Sequence, residues 1–483
     1  MPSIRPLLLL ALPAAIACRG EPAALPGPYG AEVATAIPQV EKVSGLRFKT
    51  PPKVETRSRD ELRSFLEAKF NEEQPALEMA GEERAYKLFG LVPDSIRLRP
   101  FLLSLLAEQV VGYYDPATKV LYVVRGGSGS KEPPPEVLSV TITHELAHAL
   151  QDQYLPLDSI SKLHGDNDRT MAAQAVIEGG ATYDQLSVML GGGNMFARMP
   201  GGWDRVRQMI RDSQGTMPVF ATAPMFIQET LLFPYLSGAE LTRQFREKRP
   251  GESPLTHLPA STEQVMHPGK LLDTVDAPLT VTLPRPDGGT VVYENGLGEF
   301  ETRLFLHQQL QDVEAASRGA AGWGGDRYLV VNTPQGAGLA WFTVWDSPFD
   351  AAEFRSLLAQ AVEKRFELKD GSGGAGTTLR WSAKGRTIEV VAATVQGRAT
   401  VTYTDVPAGA NPSWWLYMLR DVVARRRARP DRGTMNQSVL SDRRSVRVPV
   451  DATAAQLLDA QLGSAQRQLA QAGAARVRVV DDQ

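Results

Sequence analysis

Residues 136–152 read Glu-Val-Leu-Ser-Val-Thr-Ile-Thr-His-Glu-Leu-Ala-His-Ala-Leu-Gln-Asp. Val137, Val140 and Thr141 precede the histidines at helical spacing, and Ala147, Ala149 and Leu150 continue it, so the stretch predicts an amphipathic helix beginning near Glu136. His144 and His148 stand one turn apart on that helix, which lets both imidazoles point at one ion. Glu145 sits beside their face, close enough to a metal-bound water to accept its proton but offset from the ligand direction. Six histidines occur in 483 residues, and chance occurrence of the pattern is on the order of a few in a thousand. Two imidazoles and a carboxylate placed in a core without a metal would cost several kcal/mol unless well hydrogen-bonded. The expectation is a zinc site, with two surface histidines on an ordinary helix as the alternative.

Zinc of the hydrolytic kind takes a third protein ligand and leaves one position open. The metzincin extension requires a glycine three residues after His148 and a histidine six residues after it; Gln151 and Tyr154 stand there and exclude that subclass. The remaining route is a Glu on a second helix, expected from about Thr170 to Leu190. Glu178, in Ala175-Val176-Ile177-Glu178-Gly179-Gly180-Ala181-Thr182, is the candidate, with a solvated carboxylate as the alternative. Gly179 and Gly180 are poor helix formers, which predicts a close approach of another backbone; packing of the two zinc-bearing helices would supply it.

In these residues the chain resembles the gluzincins, thermolysin-like zinc peptidases whose third ligand is a downstream helical Glu. The resemblance implies an α+β chain: a zincin-like domain with its active-site helix and second Glu-bearing helix, followed by a mixed α/β C-terminal region. It also implies zinc as cofactor, peptide or protein as substrate, and hydrolysis with Glu145 as general base. The chain departs from the family at Thr182, where an Asp usually orients a zinc histidine, leaving Asp152 and Asp184 as candidates for that support.

Upstream, Arg59 to Phe70 and Leu102 to Val111 have the helical period, and Tyr113-Tyr114-Asp115-Pro116-Ala117-Thr118-Lys119 before Val120 to Val124 predicts a hairpin. Further helical or mixed segments occupy 203–250, and Thr377 to Tyr403 alternates like antiparallel strands with Trp381, Ile388, Val390 and Val401 inward. A transition-state donor is also needed. The polar run Ser261 to Pro268 offers His267, with a loop-fixing histidine as the alternative; Tyr235 also offers a donor but reads more simply as core. The hairpin, the His144 to Asp152 run, Glu178 to Ala181 and the Ser261 to Pro268 loop together resemble a group of bacterial His-Glu-x-x-His proteins. The segment Ala320 to Tyr328, similar to the same group, predicts a fixed turn with Asp326 and Arg327 as an ion pair.

At the N-terminus, Arg5 precedes the apolar run Leu7 to Ala17, a signal-peptide pattern too short to span a bilayer. Ala15-Ile16-Ala17-Cys18 resembles the lipobox of bacterial lipoproteins, with Ala15 where that pattern prefers Leu. The resemblance implies a membrane anchor on Cys18 in the bacterial cell envelope; a plain secretory signal giving a periplasmic or secreted protein is the alternative. Cys18 is the only cysteine, so no disulfide is expected. A formal net charge of −3 gives no reason to expect nucleic acid as a partner. The boundaries expected are a signal peptide at 1–18, a tether at 19–50, the zincin-like domain at 51–275, a mixed region at 276–410, and a helical tail at 411–483 in which Arg425 to Arg429 end a helix. A second reading keeps the scaffold but not the turnover: an inactive envelope lipoprotein used for binding or assembly.

Overall fold

The computed structural model describes residues 25–410, except 74–75, 126–134, 160–164, 192–207, 209–210, 213–216 and 287–288, together with 423–426. Cys18 and most of the expected C-terminal tail lie outside the described residues.

The chain is of the α+β class. Its N-terminal half runs α1 (Gly30–Ser44), β1 (Lys53–Arg57), α2 (Arg59–Glu73), α3 (Ala76–Phe89), α4 (Leu98–Gln109), β2 (Gly112–Asp115), β3 (Val120–Val124), α5 (Pro135–Asp152), α6 (Asn167–Met189) and α7 (Met225–Lys248). Three strands form a small sheet ordered β1-β3-β2, with β1 parallel and β2 antiparallel to the central β3. All five residues of β3 are buried, as a centre strand covered on both faces must be.

Helix α1 occupies the middle of the segment expected to be a tether. Val33, Ala36 and Val40 recur at helical spacing and enter the cluster formed by Leu121 and Val123 of β3 with Leu138, Ile142, Leu146 and Leu150 of α5. That apolar stripe outweighs the Pro- and Gly-rich composition that suggested a flexible linker; Pro38 lies inside the helix, and Gly45 ends it with φ 74°. Helix α5 is thus held between α1 and the small sheet on one side and α6 on the other, and eleven of its residues are buried.

The C-terminal half contains β4 (Leu279–Thr282), β5 (Thr290–Asn295), α8 (Gly298–Leu310), α9 (Val313–Ala320), β6 (Trp323–Thr333), β7 (Gly336–Trp345), α10 (Pro348–Phe366), β8 (Thr378–Ala383), β9 (Arg386–Val395), β10 (Arg398–Pro407) and β11 (Val423–Arg426). A six-stranded antiparallel sheet has the order β5-β6-β7-β10-β9-β8. Trp381, Ile388, Val390 and Val401 are all buried in its main core. That core is one hydrophobic cluster from Met79 to Tyr403, continuous across residue 275. Phe89 of α3 packs edge-on against Tyr328 and Trp341 of the sheet, at centroid distances of 5.2 and 5.3 Å.

Two local expectations fail here. Residues 423–426 are a strand, not part of a helix: β11 pairs antiparallel with β4 and satisfies backbone groups along that strand. Asp326 and Arg327 are not an ion pair, because neighbours on a strand point to opposite faces. Asp326 is buried and accepts from the Leu297 and Gly298 amides and the Trp323 and Trp341 indoles at 2.8–3.1 Å. Arg327 instead donates to Gly165 O at 2.6 Å and pairs with Glu294.

Among the described residues, no helix is long and apolar enough to cross a membrane.

Candidate metal centre

Helices α5 and α6 pack side by side, with Gln185 Nε2 donating to Val140 O at 3.0 Å toward one end and Gln151 Nε2 to Ile177 O at 2.9 Å toward the other. His144, His148 and Glu178 meet between these contacts. Nε2 of His144 lies 3.1 Å from Nε2 of His148, and Glu178 Oε2 lies 3.4 and 3.3 Å from them. Three ligand atoms at about 2.0–2.1 Å from a tetrahedral zinc would be about 3.3 Å apart. The triad therefore has the edge lengths of one face of such a site.

Hydrogen bonding alone does not account for the arrangement. Among the described residues, Glu178 Oε2 is buried within reach of both imidazoles without a hydrogen bond of good geometry to either. Burial opposes charge on His148 and Glu178, but their mutual attraction outweighs it, lifting His148 to about 9 and holding the Glu178 carboxyl well below the usual carboxylate range. Such an anion beside two imidazole nitrogens is a donor set that fits zinc.

Glu145 stands next to the triad and outside it. Its Oε2 accepts the Tyr114 backbone N–H at 2.7 Å, and burial raises its carboxyl above the ordinary range. The hairpin sets this contact. Asp152, one turn beyond His148, accepts from the Tyr114 hydroxyl at 2.8 Å, Lys119 Nζ at 2.6 Å and the Leu157 amide at 3.0 Å, so it fixes β2 against α5. Asp184 pairs with Arg246 at 2.7 Å. Among the described residues, neither acid is bonded to His144 or His148: each is committed to holding neighbouring elements. Gln151 is bonded to one of these histidines: its Oε1 lies 3.0 Å from His148 Nδ1 while its amide is anchored on α6, so it fixes the His148 ring.

The two glycines after Glu178 have separate neighbours. A Cβ on Gly179 would lie 2.0 Å from the Gly238 carbonyl carbon, and one on Gly238 would lie 1.9 Å from Ala175 O, so the close approach there is to α7. A Cβ on Gly180 would meet the Gln151 side chain of α5 at 2.9 Å. The Gly179–Gly238 contact brings Tyr235, almost one turn before Gly238, over the triad. Its ring stacks on His144 with centroids 6.2 Å apart, and its hydroxyl, bonded to Glu178, is pushed well above its ordinary value by that carboxylate and by burial.

His267 has its own acidic partner, as the loop-fixing alternative would have it. Its Nε2 lies 2.8 Å from Glu299 Oε1, on α8, which supplies none of the triad. The polarity of its loop is consumed internally. Thr262 donates through both N and Oγ1 to Asp168 Oδ1 at 2.7 Å, and Gln264 Oε1 accepts the Ala260 amide at 2.7 Å. The loop thus latches the start of α6 to the C-terminal half. A second acidic trio, Glu263, Asp276 and Asp346, surrounds the Lys270 ammonium at 2.6–3.3 Å, which supplies its counter-charge.

The structure thus brings His144, His148 and Glu178 together with Glu145 alongside, and adds two neighbours that the sequence did not single out in these places, Tyr235 over the triad and Gln151 against His148. The signal for Tyr235 was Gly238, a glycine inside a helical pattern, which marks a close helix contact.

Residues 289–411, from the first strand of the six-stranded sheet to just past its last, match a family described as a domain of unknown function (DUF8575). The metal-site helices lie outside that match. No curated protein matches the chain, and no solved structure does.

Proposed function

We propose that this chain is a zinc metallopeptidase with a zincin-like N-terminal domain, exported and anchored by lipid at Cys18. The observation that carries the reading is the convergence of His144, His148 and Glu178 to 3.1–3.4 Å with Glu145 alongside. His144, His148 and Glu178 would hold the ion. Bound zinc supplies Lewis acidity toward a substrate carbonyl and lowers the pKa of a water toward neutrality.

The protein's own groups do the rest. Glu145 Oε2 is tied to the Tyr114 amide, so Oε1 is the atom that takes the proton of the attacking water and returns it to the leaving amine. The bond from Tyr114 also keeps the carboxylate from swinging toward the triad. The Tyr235 hydroxyl, held at the triad's edge by stacking on His144, is the donor to the developing oxyanion. Gln151 holds the His148 ring, with Nε2 facing the ion.

Casein or peptide cleavage by the zinc-loaded wild type beside Glu145→Gln tests this. Cleavage that disappears in the variant while zinc is retained supports the mechanism. Equal cleavage in both removes Glu145 from it, and zinc binding without cleavage by either protein favours a scaffold that binds but does not turn over.

A further inference from the structure

Glu145 projects from α5, but what holds its carboxylate belongs to β2. Among the described residues, the Tyr114 amide is the one hydrogen-bond donor to it. Strand β2 is an edge of the three-stranded sheet and only four residues long. Val111 O and Asp115 O accept from Val124 and Lys119 at 2.8 Å each, and the residues between alternate in direction, so the Tyr114 N–H faces outward, away from β3. A short edge strand has little of its own to fix it there.

Two contacts hold β2 against α5. At its start, a Cβ on Gly112 would lie 2.8 Å from Thr141 Cγ2 and 3.8 Å from Glu145 Cγ, so backbone abuts the helix directly. At its end, Asp152 Oδ2 accepts from the Tyr114 hydroxyl at 2.8 Å and from Lys119 Nζ at 2.6 Å. Tyr114 thus gives its amide to Glu145 and its hydroxyl to Asp152, residues two turns apart on one face of α5.

Lys119 is strained for this contact. Its φ is 60°, in the left-handed region that favours glycine. The turn imposes that angle: Lys119 N donates to Asp115 O, while the Asp115 carboxylate holds the Ala117 amide at 3.1 Å and the Thr118 hydroxyl at 2.9 Å. Glycine would fit the turn with less strain but has nothing with which to reach Asp152, whose side chain is 1% exposed against 57% for that of Lys119. A side chain held at an unfavourable backbone angle by one buried partner points to a use for that contact.

Resting on the peptidase reading, we propose that Lys119 and Asp152 are positioning residues for the reaction: with the Tyr114 hydroxyl they clamp the hairpin onto α5, so that the Tyr114 N–H stays on Glu145 Oε2 and Oε1 is left to the water. Neither residue touches substrate or ion. Without the clamp, β2 drifts from α5 and the Glu145 carboxylate loses its fixed orientation.

The test is Lys119→Gly beside Tyr114→Phe, each in the full-length, zinc-loaded protein. In Lys119→Gly, relief of backbone strain offsets the lost ion pair of a half-exposed lysine, so Tm should stay close to the wild-type value. In both variants kcat for peptide cleavage should fall about tenfold, the scale of partners that orient a reacting group, with KM and zinc content unchanged. Hydrogen–deuterium exchange over β2, read by mass spectrometry, should quicken. Undiminished kcat in both folded variants overturns the clamp and leaves the peptidase reading in place, as does a loss of activity in Lys119→Gly that only tracks a lowered Tm. A wild type that cuts no peptide removes the peptidase reading, and β2 exchange then decides the clamp: faster exchange in the variants upholds it, and unchanged exchange overturns it.

Discussion

Replacing Gly179 by alanine tests whether the metal centre depends on how closely α6 and α7 approach. The added Cβ would lie 2.0 Å from the Gly238 carbonyl carbon and 2.4 Å from the Ala239 nitrogen. Both are backbone atoms, so no side chain can rotate away. Ordinary contact begins near 3.4 Å, so the helices must part by about 1.4 Å (3.4 minus 2.0) or tilt equivalently. Overpacking of this kind costs about 1–3 kcal/mol, and the better helix propensity of alanine returns about 1 kcal/mol at most. The net loss of stability is therefore modest, but the geometric effect is large: Glu178 precedes the contact directly, and Tyr235 is one turn from it. A shift of about 1 Å in a reacting group can cost about a hundredfold in rate. Thermal melting, zinc affinity by chelator competition, and peptide cleavage should show a folded protein with a lowered Tm, weakened zinc binding and cleavage reduced by about two orders of magnitude. Wild-type values in all three assays would refute the close packing and its role in assembling the site.

Three further outcomes follow from individual contacts. Gln151→Ala removes the hydrogen bond to His148 Nδ1 and should weaken zinc binding about 10- to 100-fold, read by competition with a chromogenic chelator; unchanged affinity would mean that Gln151 does not orient the ligand. Tyr235→Phe keeps the stack on His144 but deletes the donor, so kcat should fall by about 10²–10³ with zinc content unchanged; an unaltered kcat would remove Tyr235 from the reaction. Asp326→Ala strips two amides and two indoles of their acceptor in the core, and chemical denaturation should show a loss of about 3 kcal/mol or more; a loss within error would contradict the burial of that network.

The His-Glu-x-x-His helix and the hairpin were legible because their signals are local. The His144–His148 spacing and the Gly112–Val124 turn pattern each lie within one or two elements. Glu178 was legible as the remaining candidate on a periodic segment. Tyr235 was harder to assign, since its position depends on a contact between two glycines on separate helices, Gly179 and Gly238. His267 drew attention for the polarity of its loop, which is the polarity of an internally bonded latch to Asp168. Composition obscured α1, whose stripe of Val33, Ala36 and Val40 acquires meaning only against α5 and β3. Strand β11 depends on β4, far upstream, and nothing in its own four residues announces that pairing.

The most direct measurement of the central claim is metal content per chain, by inductively coupled plasma mass spectrometry after exhaustive dialysis, for wild type, Glu145→Gln and Glu178→Ala. One zinc per chain is expected in the first two and its loss from Glu178→Ala, because Glu178 would complete the ligand set while Glu145 stands outside it. Zinc retained in Glu178→Ala at the wild-type level, or absent from the wild type itself, would contradict the account.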